Sequence, residues 1–294
     1  MTFPKRTNTG SVFLWTLVAV YAAARVAQAF PEKIPMLVIV AFHVLPPLAF
    51  ALIHGSLRYR ARGIFAFAAL CFVIGNLMEN LSVLTGFPFG HYHFTGVMGP
   101  KLFHVPVLLG LAYIGMGYLS WTLCLIVLGC QDNLRNSRVV TTPLVAAFIM
   151  VAWDLSMDPI WSNLVCGWIW HEGGAYFGVP VSNFLGWYLT VYLIYQSFAI
   201  YLYRSPIGLP ALPRGYWHMA VLFYGVSALG NLFVIAPPGL KEVADAAGTH
   251  WKVSGILGAS TLVSFFVMGA FTVLAWVRLL DRSRIAPPAG SSLR

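Results

Sequence analysis

The sequence predicts an all-α fold: a polytopic membrane helix bundle of about eight transmembrane helices, seven if the first is cleaved, with both termini cytoplasmic. Three observations carry that prediction. Of the 294 residues, 59% are hydrophobic and only 9% are charged, whereas soluble domains carry about 25% charged residues. Mean hydropathy is +0.77. The apolar residues fall in continuous runs close to the ~20 residues a helix needs to cross hydrocarbon, not in the alternating segments of a barrel. Residues 1–294 form a single transmembrane domain, with no polar block long enough for a soluble one.

The first apolar run is Ser11–Ala24, after a polar start holding Lys5 and Arg6. It reads as a retained span whose Arg25 snorkels toward the interface. A basic start, a short apolar core and Ala27-Gln28-Ala29 also fit a signal peptide. The second span is about Ile34–Ile53, followed by HGSLRYRARG. The third, about Ile64–Leu84, carries Glu79 and leads into TGFPFGHYHFTGVMGPKLFH. The fourth is about Val105–Leu128, then QDNLRNSR. The fifth, about Thr141–Met157, is expected to end near Pro159, and a second aromatic loop runs to Pro180. The sixth is about Val181–Leu202, followed by the Pro-rich turn RSPIGLPALPRG. The seventh and eighth are about Trp217–Ile235 and Ser254–Leu280. Residues 283–294 read as a disordered tail.

Basic residues set the orientation. Lys5, Arg6, Arg58, Arg60, Arg62, Arg135, Arg138, Arg204, Arg214, Arg278, Arg282, Arg284 and Arg294 fall on one side of this topology. Arg25, Lys33, Lys101, Lys241 and Lys252 fall on the other. The richer side is the cytoplasmic one, and the protein belongs in the plasma membrane of a bacterium or archaeon. The net charge of +9 then belongs to the membrane flanks and does not imply nucleic acid, because no basic patch is interleaved with aromatics outside the spans. Cys71, Cys124, Cys130 and Cys166 have neither CxxC nor zinc-cluster spacing and read as small apolar residues without disulfides.

LFHVPVLLGLAY (102–113) aligns with YFGVPVSNFLGW (176–187), matching Phe103 with Phe177, Val105 with Val179 and Pro106 with Pro180 at an offset of 74. Glu79 and Asp154 stand 75 apart. This layout suggests a parallel repeat of residues 64–128 and 141–202, with Glu79 and Asp154 facing each other across a pseudo-twofold axis. His91-Tyr92-His93 stands roughly where Trp168-Ile169-Trp170 stands.

Carboxylates deep in an apolar chain are costly and mark function by default. Asp154 and Asp158 are four apart and share a helix face; alternatively, Asp158 caps a span. A carboxyl in dry surroundings keeps its proton and suits a general acid, while a second nearby can act as base. Trp153, Trp161, Trp168, Trp170 and Trp187 surround the aspartates. Each singly fits packing or an interfacial belt. Together they offer faces for an elongated polyene and for a carbocation, worth ~2 kcal/mol or more when desolvated. His91 and His93 are either interface residues or, at i, i+2 spacing in a loop, candidates to bind a metal or relay protons. Asn76, Asn80 and Asn183 need partners in or beside spans, and Asn80 and Asn183 are candidates to orient the acids or a water.

ENLSVLTGFPFGHYHFTGVMGPKLFHVPV, WDLSMDP and GAYFGVPVSNFLGW together resemble the carotenoid biosynthesis membrane protein family. It includes the membrane-bound carotenoid 1,2-hydratases of the bisanhydrobacterioruberin and γ-carotene hydratase type. The resemblance implies addition of water to the terminal C1–C2 double bond of an acyclic carotenoid end, giving a tertiary alcohol without a redox cofactor. It implies a polyene substrate held within the lipid bilayer, and other carotenoid-pathway membrane enzymes as neighbours. The motif carboxylates Glu79, Asp154 and Asp158 are the catalytic candidates, with Asn80, Trp153, Trp168, Trp170, Asn183, Trp187, His91, Tyr92 and His93 toward substrate. No metal ligand is expected. His104 stands where family members often have Gly, as Gly178 does in the second copy, so a different pocket and polyene are expected. The expected chemistry is protonation of C2 by Asp154 or Glu79 and capture of the C1 cation by water held by Asp158 or Asn183. Two other classes fit intramembrane carboxylates. A prenyl-transferring enzyme would use magnesium and a diphosphate donor, although this chain has one D-x3-D and only Glu79-Asn80 in the matching half. A proton-coupled transporter would show flux and no pigment product.

Overall fold

The computed structural model describes residues 8–30, 32–131, 134–205 and 208–285. The expectations for Lys5, Arg6 and residues 286–294 of the expected tail lie outside the described residues, while residues 283–285 of that tail are helical. Five helical stretches are long and apolar enough to cross a membrane: Gly10–Ala27, Met36–Thr85, Val107–Val127, Arg138–Asn163 and Val253–Asp281. The first lies in α1 (Asn8–Ala27) and the second is α2 (Met36–Thr85). The third is α3 (Val107–Val127) and the fourth α4 (Arg138–Asn163). Two further helices are α5 (Val181–Arg204) and α6 (Arg214–Gly230). The last stretch comprises α7 (Val253–Leu262), a π-helical turn at Val263–Met268, and α8 (Gly269–Ile285).

α2 joins two of the expected spans. Its 50 residues are broken at Arg60, which has φ 58° and ψ 173°, and its two arms fold back on each other. Both arms pack on α3. Tyr118 bonds His54 of the first arm at 2.7 Å and meets Phe67 of the second at 6.2 Å. Gly115 packs on Pro47, and Gly110 on Phe72 and Asn76. A Cβ at Gly115 would stand 2.7 Å from the Pro47 side chain and 2.9 Å from the Leu48 backbone nitrogen. Small residues here permit close helix approach and make α3 the central helix, with 17 of its 21 residues buried. The other end of this region holds Arg58, buried between the rings of Trp217 and Tyr59 at 4.9 and 5.3 Å.

α4 runs past its expected end, through Pro159 to Asn163. Proline lacks the N–H that would bond the carbonyl four residues back. That carbonyl, Leu155 O, accepts the Tyr176 hydroxyl at 3.3 Å. At Pro143 the same repair is made by Gln196, whose amide donates to Val139 O at 3.2 Å. Neighbouring side chains thus satisfy backbone groups that a membrane cannot.

The loops at one end carry short ribbons. β1 (Tyr92–Phe94) pairs antiparallel with β4 (Trp168–Trp170), in the register Tyr92↔Trp170 and Phe94↔Trp168. β2 (Lys101–Leu102) pairs with β3 (Val105–Pro106), and β5 (Glu242–Ala244) with β6 (His250–Lys252). Phe103 and Phe177 both take left-handed φ, 56° and 52°, a conformation uncommon for bulky residues. Each lies inside a tight turn, closed by Leu102↔Val105 and Tyr176↔Val179. Each turn leads into a proline that precedes a helix, Pro106 before α3 and Pro180 before α5. All four cysteines are free, and Cys71, Cys124 and Cys130 are buried.

Candidate active site

Glu79 sits on the last turns of α2, and Asp154 and Asp158 on successive turns of α4; all three are buried. The i, i+4 spacing puts both aspartates on the face toward α5. There the Asn183 amide donates to Asp154 Oδ2 at 3.2 Å and to Asp158 Oδ2 at 2.6 Å. The indole N–H of Trp168 completes Asp158, donating to Oδ1 at 2.9 Å. Asp154 Oδ1 is buried without a hydrogen-bond partner. Glu79 is held by two phenols: Tyr113 donates to Oε1 at 2.7 Å, and Tyr92 to Oε2. Among the described residues no cation pairs with these carboxyl groups. Lys101 instead donates to Phe94 O at 2.6 Å.

Glu79 and Asp158 line one small cavity, with Asn183 and a wall of Tyr92, Phe94, Trp168, Trp170, Trp187 and Leu109. Asp154 does not line it. The β1–β4 ribbon roofs the cavity. Side chains alternate across a strand, so Tyr92, Phe94, Trp168 and Trp170 point in while His91 and His93 point out and are exposed. The two histidines are therefore removed from the carboxylates, which corrects the expectation that they face substrate. His93 Nδ1 meets His171 Nε2 at 2.8 Å on the outer surface. Partial burial and the neighbouring charges of His171 and Lys101 hold the His93 imidazole below its ordinary value.

Trp187 stacks on Tyr113 with centroids 4.6 Å apart and planes 7° apart, and Trp153 meets its edge at 6.1 Å. Asn80 lies outside the cavity. Its amide donates to Asn76 O at 2.8 Å and its Oδ1 accepts the His104 N–H at 3.0 Å, so it fixes the turn before α3. In sequence Tyr113 is indistinguishable from core packing, because a tyrosine inside an apolar span shows no site role until its partner is known.

A second cavity shares Leu109 and Trp168 with the first and is walled by Trp153, Trp161 and Met157. A third shares Arg25, His43, Met157 and Trp161 with the second and extends past Leu164 to Pro237. The three share walls in a row, mainly apolar, with the carboxylates at one end. Arg25 does not snorkel outward. It is 6% exposed and turns into the bundle, donating to Asn231 Oδ1 and, at 3.3 Å, to Ser227 O. No group of three or more His, Cys, Asp or Glu side chains among the described residues is arranged to hold a metal ion.

Comparison with known proteins places the chain in a family. A family described as carotenoid biosynthesis protein matches residues 34–237. The chain is 29% identical over 114 residues to a bisanhydrobacterioruberin hydratase of Haloarcula japonica. That match spans 38% of this chain and 37% of the relative. No solved structure matches. The family match covers most of the chain, including both carboxylate-bearing helices and both aromatic loops: the protein is a member of the carotenoid biosynthesis protein family.

Proposed function

We propose that this protein is a carotenoid 1,2-hydratase, adding water to the terminal C1–C2 double bond of an acyclic carotenoid end. The observation that carries the reading is the pair Glu79 and Asp158 on one aromatic-walled cavity, at one end of a row of apolar-walled cavities that share side chains. One carboxyl of the pair, protonated, gives its proton to C2. The C1–C2 π electrons form the new C–H bond and leave a tertiary cation at C1. The faces of Trp168, Trp170 and Trp187 shelter that cation. A water adds through oxygen to C1, and its proton goes to the other carboxylate. The sum is one alkene plus one water to one tertiary alcohol, with no electron transferred, and proton exchange between the carboxyls resets the site. An isolated alkene is a weak base, so the acid has to act in a dry pocket.

The same reading has eight spans, with the two arms of α2 counted separately and both termini cytoplasmic. It treats residues 64–128 and 141–202 as a parallel repeat. The matched turns at Phe103 and Phe177 support that, as does the antiparallel pairing of β1 with β4, which a twofold axis between the copies would generate. Glu79 and Asp158 then come one from each copy. The substrate enters from the bilayer of the cell membrane, supplied by other membrane enzymes of the pathway.

The test is expression in cells that accumulate a ψ-ended carotenoid, with pigments resolved by chromatography and mass. The expected product is heavier by one water per reacted end. Glu79→Gln and Asp158→Asn are each expected to lower the rate by about 10²-fold or more. Unhydrated pigment with wild type, or full activity in both variants, would sink the proposal. Loss of activity in EDTA together with a diphosphate requirement would point instead to prenyl transfer.

A further inference from the structure

The outer face of the β1–β4 ribbon is the feature the hydration chemistry leaves unused. Alternation along β1 puts Tyr92 and Phe94 on the cavity side and His91 and His93 outside. The ladder runs one residue beyond β4, where His171 N donates to His91 O at 2.9 Å, so His171 joins the histidines on the outside. His93 is its diagonal neighbour across the strands. Nδ1 of His93 stands 2.8 Å from Nε2 of His171, with the ring centroids 5.1 Å apart, and both residues are exposed. His91 is turned elsewhere: a Cβ at Gly86 would stand 2.6 Å from its Nε2, which puts the ring over the turn after α2. The histidines that meet are therefore a cross-strand pair, and not the His91 and His93 that i, i+2 spacing suggests.

Two imidazole nitrogens thus converge at an exposed point. In their hydrogen bond one nitrogen offers a lone pair and the other an N–H. With His93 as the Nε2–H tautomer and His171 as the Nδ1–H tautomer, both facing nitrogens offer lone pairs, and neither ring gains or loses a proton overall. Two zinc–nitrogen bonds of about 2.0–2.1 Å at a tetrahedral angle set the nitrogens roughly 3.3 Å apart, so opening the contact by about 0.5 Å admits such an ion. Small rotations of two exposed rings supply that movement, and water fills the remaining positions. The strands that carry the rings are fixed from the inner face. Tyr92 donates to Glu79, Trp168 to Asp158 at 2.9 Å, and Thr95 N to Gly167 O at 3.1 Å. Little ordering therefore remains on binding. The charge of Lys101 bears on His93 and opposes a cation there; Glu172, exposed and next to His171, acts in the opposite sense.

We propose that His93 and His171 form a site for a divalent transition-metal ion of the zinc class, which staples β1 to the end of β4 across the outer face of the roof. Imidazole suits zinc, copper and nickel. The ion lies on the opposite face of the ribbon from Glu79 and Asp158 and takes no part in the hydration chemistry, so the proposal stands apart from the hydratase reading.

The experiment uses full-length protein purified without a histidine tag, freed of metal by a chelator and placed in lipid nanodiscs. Zn²⁺ is titrated in, and hydrogen exchange is followed across residues 90–95 and 167–172. An ion that binds only the closed ribbon makes its opening rarer by the factor 1 + [Zn²⁺]/Kd, so free Zn²⁺ at about ten times the half-saturating concentration should slow exchange there about tenfold. EDTA should reverse the effect. His93→Gln and His171→Gln should each abolish it, and His91→Gln should keep it. Mg²⁺, which prefers oxygen ligands, should leave exchange unchanged. Both ligand substitutions are at exposed positions and keep a polar side chain, and equal unfolding midpoints in EDTA check that the variants fold. Exchange that Zn²⁺ does not change overturns the proposal, as does equal slowing in wild type and either ligand variant. Slowing of the same size throughout the chain places the ion elsewhere and overturns it too.

Discussion

Asn183→Leu tests the carboxylate assembly most directly. The substitution keeps nearly the same shape and removes one amide. That amide makes two bonds, 2.6 Å to Asp158 Oδ2 and 3.2 Å to Asp154 Oδ2. Without it Asp158 keeps the Trp168 donor, while Asp154, whose other oxygen already lacks a partner, keeps none. A hydrogen bond to a charged group is worth about 1.5–3 kcal/mol. The shorter bond counts in full and the longer only in part, which gives about 2–4 kcal/mol. Asn183 also lies in the first turn of α5, where the helix dipole adds about 0.3–1 kcal/mol toward nearby negative charge; the substitution leaves that contribution in place. If the bonds serve the transition state, the rate falls about 30- to 1000-fold, since 1.36 kcal/mol is tenfold. The assay is the initial rate of hydration per folded protein, in nanodiscs, alongside the thermal unfolding midpoint. A rate within twofold of wild type refutes the reasoning. A lower midpoint with an unchanged rate per folded molecule reduces Asn183 to a structural residue.

Tyr113→Phe removes the 2.7 Å bond to Glu79 but keeps the stack on Trp187. It should slow hydration about tenfold, and an unchanged rate would detach Tyr113 from the site. Tyr176→Phe exposes the Leu155 carbonyl above Pro159. It should cost about 1 kcal/mol of stability, read as a lower unfolding midpoint, with little change in rate; a large loss of rate at constant midpoint would contradict this. The folded state holds His93 below its ordinary value of 6.5, so the unfolded chain binds more protons as pH falls through that value. The stability His93 contributes is complete above about 6.5 and declines below it. Hydrogen exchange across residues 90–95, corrected for intrinsic rate, should rise between pH 7.5 and 5.5, and His93→Gln should flatten that rise. Identical profiles in both proteins would rule the effect out.

The helical stretches were legible because hydropathy has the length scale of a membrane, and the shared face of Asp154 and Asp158 because a helix repeats every 3.6 residues. The pattern HYHF also held more than a loop assignment used. Its alternation puts Tyr92 and Phe94 on one face and both histidines on the other, which a strand reading would have revealed. Other features depend on partners remote in sequence. Pro159 ends a helix by local rules; Tyr176, 17 residues on, is what lets α4 continue. Arg25 at a helix end snorkels by local rules; Asn231, on the far side of the bundle, draws it inward. A parallel repeat pointed to Glu79 facing Asp154, yet the aspartate on the cavity is the one a turn later.

That one-turn difference leads to a sharper test of the three carboxyls. An ionised carboxylate only accepts hydrogen bonds, whereas the protonated form needs one oxygen free of donors to carry its proton. Both oxygens of Glu79 meet phenol donors, and both oxygens of Asp158 meet N–H donors. Asp154 Oδ1 alone among the six oxygens meets none. The proton given to the alkene rests on Glu79, whose phenol partners can accept as well as donate; a further proton resident in the cluster has its place on Asp154, away from the cavity, where it keeps three carboxyls from carrying three charges. Asp154→Asn imitates that protonated group in size and in its Oδ-type acceptor, so hydration should stay within about threefold of wild type. Asp158→Asn and Glu79→Gln remove groups that must exchange a proton with substrate or water and should cost about 10²-fold or more. Equal losses in all three variants would mean that the proton used in catalysis passes through Asp154, and would return to it the role its place in the repeat first suggested.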